Sequence, residues 1–194
     1  MNICGSFFLR SCLMMLEEES LLQRIVRGVV QIVVVIALAR LCVYSFGTVG
    51  TMPGQSMRPA LEDGDQVLLD RLSLRLRGPA RYDIVLFTSP VTGNINMKRV
   101  MGLPGETVEI RDGQLLIDGS PLEGEAGNTY GKASIAGLAE RPVLLGENEY
   151  FVLGDNREVS EDSRFETVGN VPLKNMTGKV WFRTAPFEQI GLVR

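Results

Sequence analysis

The sequence predicts a mainly β protein: a folded antiparallel sheet or barrel-like domain carried on one N-terminal transmembrane helix. Three observations predict it. Residues 28–49, GVVQIVVVIALARLCVYSFGTV, form an apolar run of membrane-spanning length. After it, apolar residues come in short runs broken by Gly, Pro and Asp, the texture of strands and turns. Past residue 50 no stretch keeps a long helical period. The 194 residues therefore divide into a cytoplasmic segment 1–24, an anchor over 25–49 and an extracytoplasmic β domain over 50–194.

In the anchor, one charge (Arg40) and one amide (Gln31) interrupt the Val, Ile and Leu. Arg24 and Arg27 precede the run, which by the positive-inside tendency puts the N-terminus in the cytoplasm; Glu17, Glu18 and Glu19 count for little in that rule. Arg40 must reach toward the outer headgroups. A cleaved secretory signal is the rival reading, with Val29–Ile36 as its apolar region and Ala37-Leu38-Ala39 as a small-x-small site. The apolar run resumes after that site as LCVYSFGTV, and the stretch before it is long for a signal, which favours a retained anchor.

Strands are predicted at Gln66–Asp70, Asp83–Phe87, Met97–Met101, Thr107–Arg111, Gln114–Asp118, Tyr150–Leu153 and Lys179–Arg183. Asp112-Gly113, between VEIR and QLLID, specifies a two-residue hairpin turn of type I′. Residues 123–141, EGEAGNTYGKASIAGLAER, are rich in Gly and Ala and read as an inserted loop.

Composition narrows the chemistry. Twenty Lys+Arg against 23 Asp+Glu give a net charge of −3, which argues against a nucleic-acid partner. There is no histidine, so no Ser-His-Asp triad, Cys-His dyad or His-ligated zinc can form. Cys4, Cys12 and Cys42 all lie in the first quarter, leaving the β domain without a disulfide or thiolate metal site. No metal or cofactor is implied. A proton-transfer group near neutral pH must then be a carboxylate, Lys, Tyr or Cys with a displaced pKa. Among the basic residues only Lys98, Lys132, Lys174 and Lys179 can shed a proton, since arginine stays charged.

Three segments carry candidate chemistry. In Met52–Leu61, MPGQSMRPAL, Gly and Pro on both sides of Ser56 make a rigid turn able to expose a hydroxyl beside free N–H groups; a plain turn serine is the simpler alternative. In Asn96–Glu106, strand alternation sends Lys98 and Arg99 to opposite faces, so one of them faces inward or lies at a sheet edge. An inward lysine loses hydration, and its pKa falls toward that of a usable base. Two solvated charges on an edge strand are the alternative. In Gly154–Arg164, GDNREVSEDSR, dense alternating charge follows an apolar strand; two Arg and the lack of a glycine at the sixth position exclude a calcium loop and leave an ion-paired one.

Together these segments resemble the signature boxes of the bacterial type I signal peptidases, peptidase family S26, in the Gram-positive-like branch. GQSMRPAL resembles the nucleophile box, RYDIVLF the box after it, KRVMGLPGE the general-base box and GDNREVSEDSR the closing box; GKVWFRTAPFEQIGLV resembles the family's C-terminal tail. The likeness runs over about residues 25–194, with the boxes in the family's order. Family members with a histidine base are excluded by the absence of histidine.

The resemblance implies a Ser–Lys serine endopeptidase that removes signal peptides from exported preproteins after small-x-small sites at the plasma membrane. Ser56 would be the nucleophile and Lys98 the base; Ser160 would hydrogen-bond and orient the Lys98 amine. Asp162 and Arg164 would form a supporting ion pair, and Asp155 and Arg157 would stabilise the loop. The Ser56 backbone N–H would hold the oxyanion. Many relatives have a serine donor at the position of Gly54, so the second donor is open. Ala60, Tyr82 and Glu106 replace the family's usual Thr, Gly and Asp. A catalytically degenerate membrane-tethered scaffold and a peptidase for a narrow set of preproteins are the alternatives within the fold. A self-cleaving repressor with Ser–Lys chemistry would need a DNA-binding segment where the apolar run stands.

Overall fold

The computed structural model describes residues 21–122 and 132–193. The chain divides between Cys42 and Val43 into two compact units. The described part of the first belongs to helix α1 (Leu21–Phe46), whose 26 residues have a mean hydropathy of 2.3 over their most apolar window and expose nearly all their side chains. By length and composition α1 can cross a membrane. It ends at Phe46, three residues before the end of the anchor expected over 25–49: the Gly47 amide bonds the Val43 carbonyl at 2.8 Å, and Thr48–Thr51, read above partly as anchor, is strand β1.

Among the described residues the β unit is two antiparallel sheets. The larger contains β1, β2 (Gln66–Asp70), β3 (Ile84–Thr88), β4 (Ile95–Gly102), β9 (Glu149–Leu153), β10 (Val171–Pro172), β11 (Met176–Ala185) and β12 (Gly191–Leu192). Its order is β1-β2-β11-β3-β4-β9-β10, with β12 against β11. The smaller contains β5 (Thr107–Arg111), β6 (Gln114–Ile117), β7 (Ser120–Pro121) and β8 (Val143–Leu144), in the order β7-β6-β5-β8. Neither sheet closes into a barrel among the described residues. The β5–β6 hairpin turns on Asp112 (φ 53°) and Gly113 (φ 78°), both left-handed as a type I′ turn requires.

Three apolar clusters cover the sheets. Ile84 and Leu86 pack with Val67, Leu69, Met97 and Val180, while Val85 and Phe87 pack with Val100, Val152 and Val171. This alternation along β3 puts apolar contacts on both faces of the central strands. The third cluster joins the sheets through Met101, Val108, Leu115, Phe151 and Leu153.

Two stretches differ from the sequence reading. A short helix α2 (Arg71–Arg77) follows β2 directly: Asp70 caps its N-terminus through the Ser73 amide (3.0 Å) and hydroxyl (2.5 Å), and the Gly78 amide closes it on Leu74 O at 3.0 Å. Seven residues are too few to show a helical period, so capping decides the conformation. The inserted loop lies partly outside the described residues, but its second half is structural: Ala133 and Ala139 are buried in the inter-sheet core, and Gly137–Glu140 form a 3₁₀ turn.

Candidate active site

Ser56 sits on the turn between β1 and β2. Met52, Met57 and Leu61 sink into the core on either side of it, so the turn is moored by three apolar side chains. Its base is stitched by Met52 N to Asp65 O (2.9 Å) and Gly64 N to Met52 O (3.0 Å), while Leu61 N bonds Met57 O at 2.9 Å. The buried Asp65 carboxylate takes the Glu62 amide at 2.9 Å and an Arg183 guanidinium at 2.8 Å, tying the turn to β11. The Ser56 amide donates to no protein acceptor among the described residues, whereas the Gly54 amide is taken by Asp63 Oδ1 at 2.7 Å.

Lys98 lies in β4, opposite Val85 of β3. Because β4 sits between β3 and β9, the edge-strand alternative fails. Both faces are covered, so Lys98 and Arg99 are both buried, at 4% and 2% exposed. The Lys98 amine and the Ser56 hydroxyl share a hydrogen bond of 2.5 Å. Burial lowers the Lys98 pKa from 10.5 to about 8; Asp162 and Glu161 oppose that by favouring the charged amine, and Arg164 adds to it.

Arg99 has the role that the sequence does not single out. Its guanidinium binds the Asp155 carboxylate in a fork, at 2.8 and 2.7 Å, and also donates to Tyr82 O at 2.8 Å. This buried pair links residues 56 apart in sequence and fixes the start of the closing loop on β4. Adjacent residues of one strand thus supply the amine and the clamp that holds the loop over it.

The closing loop is ordered by buried charge. Asp162 and Arg164 pair at 2.8 and 2.9 Å, and Asp162 also takes the Gly154 amide at 3.1 Å. Arg164 donates further to the carbonyls of Arg157, Ser160 and Ile135, so it joins the loop to the second half of the 123–141 segment. Arg157 Nε bonds Gly154 O at 3.0 Å. The Asn156 amide donates to Ser56 O at 3.0 Å, bringing the loop directly onto the nucleophile turn.

Ser160 departs from expectation. Its hydroxyl is buried and makes no hydrogen bond to Lys98 or to any other described group. It faces the Gly154 backbone instead: a Cβ added there would lie 2.2 Å from Ser160 Oγ and 2.5 Å from Ser56 O. Tyr82 holds φ 71°, the left-handed region where glycine is at ease, which accounts for the glycine expected at this position from the family pattern. Here the tyrosine ring is retained by packing against the inter-sheet core. Among the described residues no cluster of metal-ligating side chains occurs.

A hydroxyl hydrogen-bonded to a desolvated amine, in a chain without imidazole, is an arrangement in which an amine could take a hydroxyl proton. Comparison with known proteins places the chain more closely. A family model described as signal peptidase, peptidase S26, matches residues 22–185. A signal peptidase I of Leptolyngbya laminosa is 35% identical over 148 residues, covering 72% of this chain and 70% of that protein. Signal peptidase IB of Staphylococcus aureus is 28% identical over 185 residues, covering 89% and 93%. A crystal structure of a signal peptidase I from Enterococcus faecalis, 35% identical, covers 52% of this chain and 95% of its own with a TM-score of 0.40. The chain belongs to the signal peptidase family, peptidase S26, and is a serine endopeptidase of the signal peptidase I type.

Proposed function

We propose that the chain is a membrane-anchored endopeptidase that cleaves signal peptides from exported preproteins after small-x-small sites, with Ser56 as nucleophile and Lys98 as general base. The observation that carries the reading is the 2.5 Å contact between Ser56 Oγ and the Lys98 amine, whose pKa is lowered by burial to about 8. In acylation Ser56 Oγ attacks the scissile carbonyl carbon while its proton passes to the neutral amine. The resulting ammonium returns that proton to the departing amine as the C–N bond breaks, leaving an ester on Ser56. Water then attacks the ester carbonyl, giving one proton to Lys98 and its oxygen to the acyl carbon; the bond from that carbon to Ser56 Oγ breaks, and the signal peptide leaves with a new carboxyl group. Lys98 finally reprotonates the Ser56 oxygen.

The Ser56 N–H serves as an oxyanion donor, a role supported by its lack of an acceptor among the described residues. Gly54 has no side-chain donor, and its amide is engaged by Asp63. Asp155, with Arg99, and Arg157, Asp162 and Arg164 are positioning residues, and Ser160, whose buried hydroxyl has no partner among the described residues, is the candidate to orient the Lys98 amine when substrate is bound. Helix α1 anchors the chain once across the plasma membrane, with the N-terminus cytoplasmic and the β unit outside, as supported by its length, hydropathy and the preceding Arg24 and Arg27. Full-length protein in detergent is tested on a preprotein. Cleavage after a small-x-small site, abolished in Ser56→Ala, Lys98→Ala and Lys98→Arg, is the expected result; a guanidinium cannot accept the proton. Retained activity in any of the three refutes the mechanism.

A further inference from the structure

We propose that helix α2 is a docking surface for anionic phospholipid headgroups at the point where α1 leaves the bilayer; this rests on the anchored reading above. The sequence of α2, RLSLRLR, is unusual for a helix on a soluble domain. Leu74 points inward and is buried, while Leu72 and Leu76 lie on the opposite side of the helix and are 38% and 73% exposed. Arg71 and Arg75, one turn apart, flank this outward apolar crest, and Arg77 lies on its other side. Among the described residues no carboxylate pairs with any of the three, although the chain as a whole is acidic, with a net charge of −3. Exposed leucines between unpaired arginines suit a surface that is negative outside and apolar beneath.

The height of α2 is fixed by Tyr44. The Arg71 and Arg75 guanidinium carbons lie 4.9 and 5.8 Å from the Tyr44 ring centroid. Tyr44 is in the last turn of α1, whose 26 residues extend ~39 Å against a hydrocarbon core of about 30 Å. With α1 centred in that core, its last turn and the ring stand at headgroup level, and so do the cations stacked on the ring within the β unit. Arg75 also borders, with Lys174 and the Glu149 carboxylate, which accepts from Asn170, a cavity of about 680 Å³ lined by Leu74, Leu173 and Met176, so two cations and one anion stand beside apolar surface next to the helix. The occupant these features fit is a lipid phosphate with its glycerol and first acyl carbons.

Trp181, the one tryptophan, lies 6.5 Å from Phe46 and reports the approach of this edge to the bilayer. Full-length protein is reconstituted into phosphatidylcholine vesicles, with or without about 30% phosphatidylglycerol, each carrying brominated acyl chains that quench tryptophan. Quenching of wild type should be stronger in the anionic vesicles and should fall to the neutral level at high salt. Arg75→Gln/Arg77→Gln, on exposed side chains, should lose about fivefold per arginine, hence ~25-fold, in the ratio of docked to undocked domain. Arg75→Lys/Arg77→Lys should restore the response, and both variants should cleave preprotein in detergent like wild type. Equal quenching of wild type in both vesicle types, or a full anionic response in the glutamine variant, overturns the proposal while leaving the anchor intact. Release of the wild-type chain from vesicles by alkaline carbonate would instead refute the anchor, and the docking proposal with it.

Discussion

Lys98→Met keeps the length of the buried side chain and removes its charge. In the wild type the amine has a pKa of about 8 when folded against 10.5 when solvated. At ~1.4 kcal/mol per unit, the folded state carries a penalty of about 3 kcal/mol wherever the amine is protonated. The sign follows from proton counting. Below about pH 8 both states hold the proton and the full penalty applies; between about 8 and 10.5 the folded state has released it and the unfolded state has not, so wild-type stability rises with pH. Above about 10.5 the penalty is gone. Methionine never carries it. The stability difference between Lys98→Met and wild type should therefore shift by about 3 kcal/mol in favour of the wild type between about pH 6.5 and 10.5, every other titrating group being common to both. Denaturant unfolding in a fixed detergent, followed by Trp181 fluorescence, measures it. Parallel stability curves for the two proteins would refute the claim that Lys98 is buried at the cost of its charge.

The same shift predicts that preprotein kcat/KM rises with pH to a plateau above about pH 8, gaining roughly tenfold between pH 7 and 9 as the neutral fraction grows; a profile flat over that range contradicts Lys98 as base. Gly154→Ala should lower kcat/KM by at least about tenfold, because the new methyl meets Ser160 Oγ at 2.2 Å and Ser56 O at 2.5 Å and must displace the nucleophile turn. Steady-state kinetics on the folded variant, confirmed by circular dichroism, checks this. Arg99→Gln leaves the buried Asp155 carboxylate unpaired and should cost about 3–5 kcal/mol, read as a loss of unfolding free energy. At Tyr82 the usual order of substitution reverses: with φ at 71°, Tyr82→Gly should be about 1 kcal/mol more stable than Tyr82→Ala in the same unfolding assay.

Local signals in the sequence carry most of the sheet. Apolar runs mark β2, β3, β4, β5, β6 and β9 to within two residues, and Asp112-Gly113 marks its hairpin, because turn chemistry and alternation are properties of neighbours. What depends on distant partners is not legible. β1 hides in the tail of the apolar helix because Thr48–Thr51 becomes strand only by pairing with β2. Arg99 reads as a surface charge until Asp155, 56 residues on, is seen opposite it. The alternating Arg and Leu of α2 fit a strand as well as a helix, and the Asp70 cap decides. The segment boxes bring Ser56, Lys98 and the closing loop into view as residue types in order. Their 2.5 Å contact, and the unpartnered hydroxyl of Ser160, are facts of packing.

The central claim is that Ser56 is a nucleophile activated by the Lys98 amine. Acylation by a penem tests it most directly: opening the lactam C–N bond leaves an ester on the attacking oxygen and a proton on the ring nitrogen. Intact mass and peptide mapping of the full-length protein should find one adduct, on Ser56, in the wild type. Ser56→Ala should give none, and Lys98→Met should react at least about a hundredfold more slowly. An adduct on another residue, or Lys98→Met acylated at the wild-type rate, would contradict the account.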